Sequence, residues 1–270
     1  MTTGSASSPF TLALIGGGNM GAALVGGLLE SGSVAPAHLA IVEVSSTRRE
    51  QLTTLFPNVT VTSEVPLCDA AVIAVKPPDV PDAVASATAH GARRILSIAA
   101  GVTIATLESA AGPNVAVVRS MPNTPALVGQ AASAIAPGSH ASDSDIAWAE
   151  SILGSVGTVV RVAESHLDAV TGLAGSGPAY LFLVAEALID AGVAAGLTRA
   201  TADALVRQLL VGSAALLAEG EPPADLRAKV TSPGGTTAAG VSVLESHAVR
   251  AAFIEAVRAA TDRGRELGRD

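Results

Sequence analysis

The sequence predicts an α/β protein in two parts, a doubly wound parallel sheet over residues 10–165 and an all-helical domain over 166–270. Three observations lead there. Short apolar runs alternate with Ala-rich helical stretches through the first half, as expected of strands joined by helical crossovers and covered on both faces. A glycine-rich turn falls between the first such run and the first helical stretch. Beyond about His166 strand-like runs cease, and long Ala/Leu/Val segments of helical period take over.

Residues 1–9 are rich in Ser and Thr and lack the basic and apolar regions of a secretory leader, so a flexible tail is expected. The first strand, 10–15, ends at Ile15 and delivers the chain to Gly16, Gly17, Gly18, Asn19, Met20 and Gly21, which match G-x-G-x-x-G. Gly16 permits the tight turn, Gly18 lets backbone approach a pyrophosphate, and Gly21 lets helix and strand pack closely. The helix expected over 22–29 presents unpaired N–H groups to the anion. In a strand–turn–helix setting the motif marks a Rossmann-type dinucleotide-binding domain.

The second strand, 39–44, ends on conflicting signals. Glu43 stands where a carboxylate holds ribose hydroxyls and favours NAD. Ser45, Ser46, Arg48 and Arg49 follow, and hydroxyls with a guanidinium suit a 2′-phosphate instead, while Ser45 or Ser46 serves equally as a plain helix N-cap. The reading leans to NADPH and leaves NADH open. Strands over 70–75, 93–98 and 115–119 bring three further segments to the sheet's carboxyl edge, where doubly wound folds bind ligands. These are Ala74-Val75-Lys76-Pro77-Pro78, Ser97-Ile98-Ala99-Ala100-Gly101 and Met121-Pro122-Asn123-Thr124-Pro125. Strands at 133–136 and 158–162 complete the first domain.

In the second half, helical periodicity covers 179–192, 199–219 and 236 to near the C-terminus, punctuated by Gly192, Gly196 and Pro222-Pro223. Their small, weakly charged faces point to packing against other helices, those of a second copy included. The most informative segment is Val230-Thr231-Ser232-Pro233-Gly234-Gly235-Thr236-Thr237. A glycine-rich loop opening a helix forms an N–H nest suited to a carboxylate, with Ser232 and Thr236 as hydroxyl donors and Thr237 placed for a ring nitrogen. An ordinary capped turn fits the same residues.

Composition narrows the partners. A net charge of −8 with no basic cluster argues against nucleic acid. Cys68 is the only cysteine, which excludes an intrachain disulfide, and the histidines lack metal-ligand spacing, so no metal is expected. Apolar runs are read as falling short of the ~20 residues of a membrane span, and the protein is expected in the cytoplasm, free of the membrane.

The chain resembles the pyrroline-5-carboxylate reductases. The resemblance is carried by Pro223, Leu226, Val230, Thr231-Ser232, Gly234-Gly235, Thr237, Gly240-Val241 and Leu244-Glu245, and by Gly16–Gly21, Ala74–Pro77, Ala99–Gly101, Met121–Pro125 and Gly175-Ser176-Gly177-Pro178-Ala179-Tyr180. His247 departs from the small residue usual in that family. The resemblance implies a Rossmann domain followed by a helical substrate-binding and dimerisation domain. NAD(P)H would reduce the C=N bond of L-1-pyrroline-5-carboxylate to L-proline. It implies a homodimer, and in many members a decamer. Carried over by position, Ser232, Gly234, Gly235 and Thr236 would hold the carboxylate, and Thr237 would hydrogen-bond the imine nitrogen. Asn123 would lie near substrate and nicotinamide, with Ala99, Ala100 and Thr124 near the coenzyme.

Two rivals share the first motif. A β-hydroxyacid-type dehydrogenase needs a catalytic lysine on the first long helix of its second domain, and the stretch after Gly177 has none. A non-catalytic dinucleotide-binding oligomer has no use for the hydroxyl-rich nest.

Overall fold

The computed structural model describes residues 9–268, so the expected tail, 1–9, lies outside the described residues except for Pro9. Eight strands form one sheet: β1 Phe10–Ile15, β2 Leu39–Val42, β3 Thr60–Thr62, β4 Cys68–Ile73, β5 Arg94–Ser97, β6 Ala116–Met121, β7 Ala131–Pro137 and β8 Gly157–Arg161. Their order is β3-β2-β1-β4-β5-β6-β7-β8. β1 sits centrally, pairing Ile15 with Val42 on one side and with Ile73 on the other. All four residues of β2 are buried, as are the last four of β1 and β4, which accounts for their unbroken apolar runs.

Helices α1 (Asn19–Glu30), α2 (Ser46–Leu55), α3 (Val80–Ala89), α4 (Ile104–Ala111) and α5 (Asp143–Gly154) connect the strands. Leu24 and Leu28 of α1 share one core with Ile152 and Leu153 of α5, against Leu12, Leu14 and Leu96. Val80 and Val84 of α3 share the opposite core with Leu107 of α4, against Ile73 and Ile95. The sheet is therefore covered on both faces.

Several expectations need correction. β6 and β7 are antiparallel, with Arg119 opposite Ala136. Residues 122–130 between them hold only a 3-10 turn, Thr124–Val128, far short of the roughly dozen residues a parallel crossover requires. β3 was not expected, because three residues of Thr-Val-Thr give no apolar run. Val44 leaves the second strand exposed, with its carbonyl taken by Arg49 Nη1 at 2.8 Å.

Two compact units divide the chain: one runs to Ser176 and includes Ala259 onward, and the other is Gly177–Arg258. In the first, a 3-10 turn (Glu164–His166), the short α6 (Leu167–Val170) and a π-turn (Thr171–Gly175) follow β8. The second is helical, with α7 Gly177–Ala194, α8 Arg199–Ala218, α9 Pro223–Lys229, α10 Thr236–Ser246 and most of α11, Val249–Leu267. The single helix expected from Thr236 is thus two, broken where Ala248 takes φ 55°. The Pro222-Pro223 pair does not only punctuate the chain but opens α9, with Pro223 in its first turn, where the missing N–H costs nothing. α7 and α8 approach closely because Gly192 has no Cβ; one would stand 3.0 Å from that of Ala202.

The expectation on apolar length also fails. Residues Glu164–Ala194 and Arg199–Ala218 are long and apolar enough to cross a membrane by length and composition, because the glycines that punctuate the sequence do not stop the helices. Leu181, Phe182 and Leu183 on α7, and Leu209 and Val211 on α8, are more than half exposed in the single chain. Apolar faces of this kind mark interaction surfaces.

Candidate active site

At the carboxyl edge of the sheet the first unit holds a cavity of about 340 Å³ lined by Met20, Ala74, Val75, Pro77, Ile98, Ala99, Ala100, Met121, Pro122, Asn123, Thr124 and Gly175. Eight of the residues expected at a coenzyme or substrate are among them. Ile98, Met121, Pro122 and Gly175 are additional. The first three belong to segments already placed on this edge; Gly175 reaches it from the π-turn, which has no local sequence signal. Lys76 is exposed beside the cavity and forms no ion pair among the described residues.

The glycine turn is shaped by close approach. Gly16 has φ 107°, and a Cβ there would lie 2.5 Å from the Ala74 carbonyl oxygen. A Cβ on Gly21 would run into Gly16 O, and one on Gly17 into Leu52. Gly18 differs: it is the N-cap of α1, at φ −64°, and nothing lies within 4 Å of where its Cβ would be. No side chain caps α1 and no acidic residue occupies its first turn. The N–H groups opening α1 therefore have no side-chain acceptor among the described residues, which leaves them to an anion such as a pyrophosphate.

The residues after β2 are tied to one another and to the glycine turn. Glu43 accepts hydrogen bonds from Gly17 N–H at 3.0 Å and Ser45 N–H at 2.9 Å, so both carboxylate oxygens already brace the turn. Arg48 donates from Nε to Gly17 O at 2.7 Å, and Arg49 donates from Nη1 to the carbonyls of Glu43 and Val44. Ser45 caps α2, accepting from Arg48 N–H at 3.3 Å. Two guanidinium groups and a serine thus surround a carboxylate that is itself engaged.

Asn123 is buried with both side-chain polar atoms engaged: Nδ2 donates to Ala174 O at 3.0 Å and Oδ1 accepts from Ala132 N–H at 2.9 Å. It ties the π-turn to β7 across the cavity wall. Gly175 completes that contact, since a Cβ there would stand 2.6 Å from Met121 Cε. Beneath it, the buried Arg119 donates from Nη1 to Glu164 at 2.9 Å and pairs with Asp168 at 3.5 Å, while Glu164 also accepts from Ile104 N–H.

The hydroxyl-rich loop lies in the helical unit. Thr231 Oγ1 donates to Arg227 O at 2.6 Å, and Gly235 N–H donates to Ser232 O at 3.0 Å, closing a turn in which Gly234 takes φ 68°. Gly235 N-caps α10 without a side-chain acceptor. The hydroxyls of Ser232, Thr236 and Thr237 have no hydrogen-bond partner among the described residues, and neither does the N–H of Gly234, Thr236 or Thr237. Glu245 of α10 is held by Arg250 at 2.7 Å, and the Arg250 hydrogen bond keeps its carboxyl below the usual range.

Residues 164–267 match the family described as pyrroline-5-carboxylate reductase dimerisation, and residues 11–101 match one described as NADP oxidoreductase, coenzyme F420-dependent. The chain is 44% identical to a pyrroline-5-carboxylate reductase of Synechocystis sp., over 96% of this chain and 98% of that one. It is 40% identical to one of Arabidopsis thaliana, covering 96% and 95%. Among solved structures, the pyrroline-5-carboxylate reductase of Coxiella burnetii superposes with a TM-score of 0.89 at 34% identity, covering 96% and 98%. That of Plasmodium falciparum, with NADP bound, gives 0.83 at 29%, covering 97% and 100%.

Proposed function

Since this chain belongs to the pyrroline-5-carboxylate reductase family, we propose how its own residues accomplish that family's reaction. The enzyme reduces L-1-pyrroline-5-carboxylate to L-proline, the closing step of proline biosynthesis, using a nicotinamide dinucleotide. When bound, the reduced nicotinamide supplies the hydride that the C=N carbon accepts.

The carboxyl-edge cavity fits such a coenzyme. Gly16–Gly21, following Ile15, cradle its pyrophosphate with the opening N–H groups of α1, and the open space at Gly18 is where a side chain would intrude. Ala74, Val75, Pro77, Ala99, Ala100 and Thr124 line the nicotinamide half, with Lys76 at its rim. NADPH is the favoured form, with NADH accepted less well. Support comes from Glu43, whose oxygens already serve Gly17 and Ser45, and from Ser45, Arg48 and Arg49 clustered where a 2′-phosphate would lie.

The loop of the helical unit takes the substrate. Ser232 Oγ and the N–H groups of Gly234 and Thr236 hold its carboxylate, Gly235 supplies the turn, and Thr237 Oγ1 meets the ring nitrogen. The observation that carries this reading is the set of unengaged hydroxyls and N–H groups at the start of α10. Asn123, on the coenzyme cavity, fixes the wall between β7 and the π-turn beside the nicotinamide. A protonated imine is already a good hydride acceptor, so positioning is the protein's main task. α7 contains no lysine, which disfavours the β-hydroxyacid dehydrogenase chemistry.

The dimerisation family over 164–267 means the chain self-associates. We assign a homodimer built on the exposed faces of α7 and α8, able to assemble further to a decamer, in the cytoplasm. The domain division proposed is a Rossmann domain to about residue 165 and a substrate-binding, dimerising domain beyond. The test is turnover with coenzyme deuterated at the transferable position of the nicotinamide. L-Proline carrying one deuterium on the former imine carbon is expected, faster with NADPH than with NADH. Unlabelled proline, or no proline, would refute the reading.

A further inference from the structure

A second cavity lies on the opposite, amino edge of the sheet, where β1, β4 and β5 begin. Its volume is about 450 Å³, within the range of small-ligand sites. The strands separating the two edges are four to six residues long, which puts roughly 15–20 Å between this cavity and the coenzyme edge. It is not an extension of the catalytic cavity.

Its construction has three parts. Leu12, Leu28 and Ile152, each at most 2% exposed, form an apolar floor, and the half-buried Trp148 of α5 stands beside it. Arg94 is fixed by its Nε–Asp145 bond of 2.6 Å, which leaves both Nη groups without a partner among the described residues. Asp69 and Arg93 line the same cavity with opposite charges. Their backbones are joined by Arg93 N–H donating to Asp69 O at 2.9 Å, yet their side chains form no ion pair with each other or with any described residue. By contrast, the rim hydroxyls of Thr11, Ser33 and Ser151 are already bonded, to His38 O, Ser31 Oγ and Trp148 O.

Guanidinium groups call for a carboxylate, and an uncommitted aspartate beside them calls for an ammonium. An indole beside an apolar floor calls for a small apolar body next to the two charges. We propose that the amino-edge cavity binds a free amino acid with an apolar side chain, its carboxylate on Arg93 and Arg94, its ammonium on Asp69 and its side chain against Trp148. The proposal does not depend on the substrate assignment at Ser232–Thr237.

Trp148 is the only tryptophan in the chain, so its emission reports this cavity directly. The full-length protein is titrated with each proteinogenic apolar amino acid in turn, L-proline included. A saturable change in emission is expected with at least one, and the same change in Thr237→Ala. Asp69→Asn and Arg93→Gln should each weaken the response roughly tenfold or more, as loss of one charge-assisted hydrogen bond requires, with melting temperature and basal turnover unchanged. Absence of any saturable response would overturn the proposal. So would a response that survives both charge variants, or one abolished by Thr237→Ala, which would place it in the catalytic site.

Discussion

Gly16 and Gly18 sit two residues apart in one turn and should respond to alanine in opposite ways. In Gly16→Ala, the new Cβ meets Ala74 O at 2.5 Å and Val75 N at 2.9 Å, both backbone atoms, at a φ of 107°. The backbone strain is about 1–3 kcal/mol. Relieving the overlap needs a shift of roughly 1 Å and adds about 1–2 kcal/mol. The sum, about 2–5 kcal/mol, is a large part of a typical folding margin. Ala74 and Val75 also line the coenzyme cavity, so binding should suffer with stability. Gly18→Ala meets no atom within 4 Å and its φ of −64° suits any residue, so stability should move by less than about 1 kcal/mol. Its methyl group instead occupies pyrophosphate space and should weaken NADPH binding roughly tenfold to a hundredfold. Thermal melting and quenching titrations on both variants separate the effects. Wild-type coenzyme affinity in Gly18→Ala, or wild-type melting in Gly16→Ala, would refute the reasoning.

Arg119→Met leaves Glu164 and Asp168 without their shared cation, and because both carboxylates are partly exposed the cost should be about 2–3 kcal/mol, read by urea denaturation. An unchanged midpoint would count against a structural role for this network. At Asp145, burial works to raise the pKa, but hydrogen bonds from Ser142 and the charge and hydrogen bond of Arg94 outweigh it and hold it below the usual value. A depressed folded-state pKa gives stability that is complete above the unfolded value near 3.9 and lost as pH falls through the folded value. The advantage of wild type over Asp145→Asn, about 2 kcal/mol at neutral pH, should therefore shrink below about pH 4, and a constant gap would contradict this. Burial, with the nearby Asp69, pushes the Cys68 thiol up to about 11. A thiol reagent at pH 8 should leave the native protein unlabelled and label it on unfolding. Rapid native labelling would contradict the burial.

The coenzyme half was legible because its signals are local. Strand, glycine turn and helix lie consecutively at Phe10–Glu30, and the apolar runs of β2, β4 and β5 announce strands buried on both faces. The antiparallel β7 was not legible, since the deciding fact is the length of the loop from Pro122 to Gln130 rather than any pattern within a strand. Nor was Gly175 as a cavity residue, because a π-turn leaves no periodic trace and its closeness to Met121 is tertiary. Glu43 shows the same limit from the other side. Its position near the end of β2 suggested a ribose ligand, and only the fold reveals that Gly17 and Ser45 engage its carboxylate. The loop at Ser232–Thr237 was conspicuous in composition, whereas the freedom of its hydroxyls emerged only from the hydrogen bonds around it.

The claim on which the mechanism rests is that the hydroxyl opening α10 acts on the imine. The decisive measurement is kcat/KM for L-1-pyrroline-5-carboxylate in Thr237→Ala at saturating NADPH, alongside coenzyme affinity and melting temperature. A fall of about one to two orders of magnitude is predicted, matching one hydrogen bond that strengthens in the transition state, with affinity and melting unchanged. Wild-type kcat/KM in that folded, coenzyme-binding variant would contradict the account.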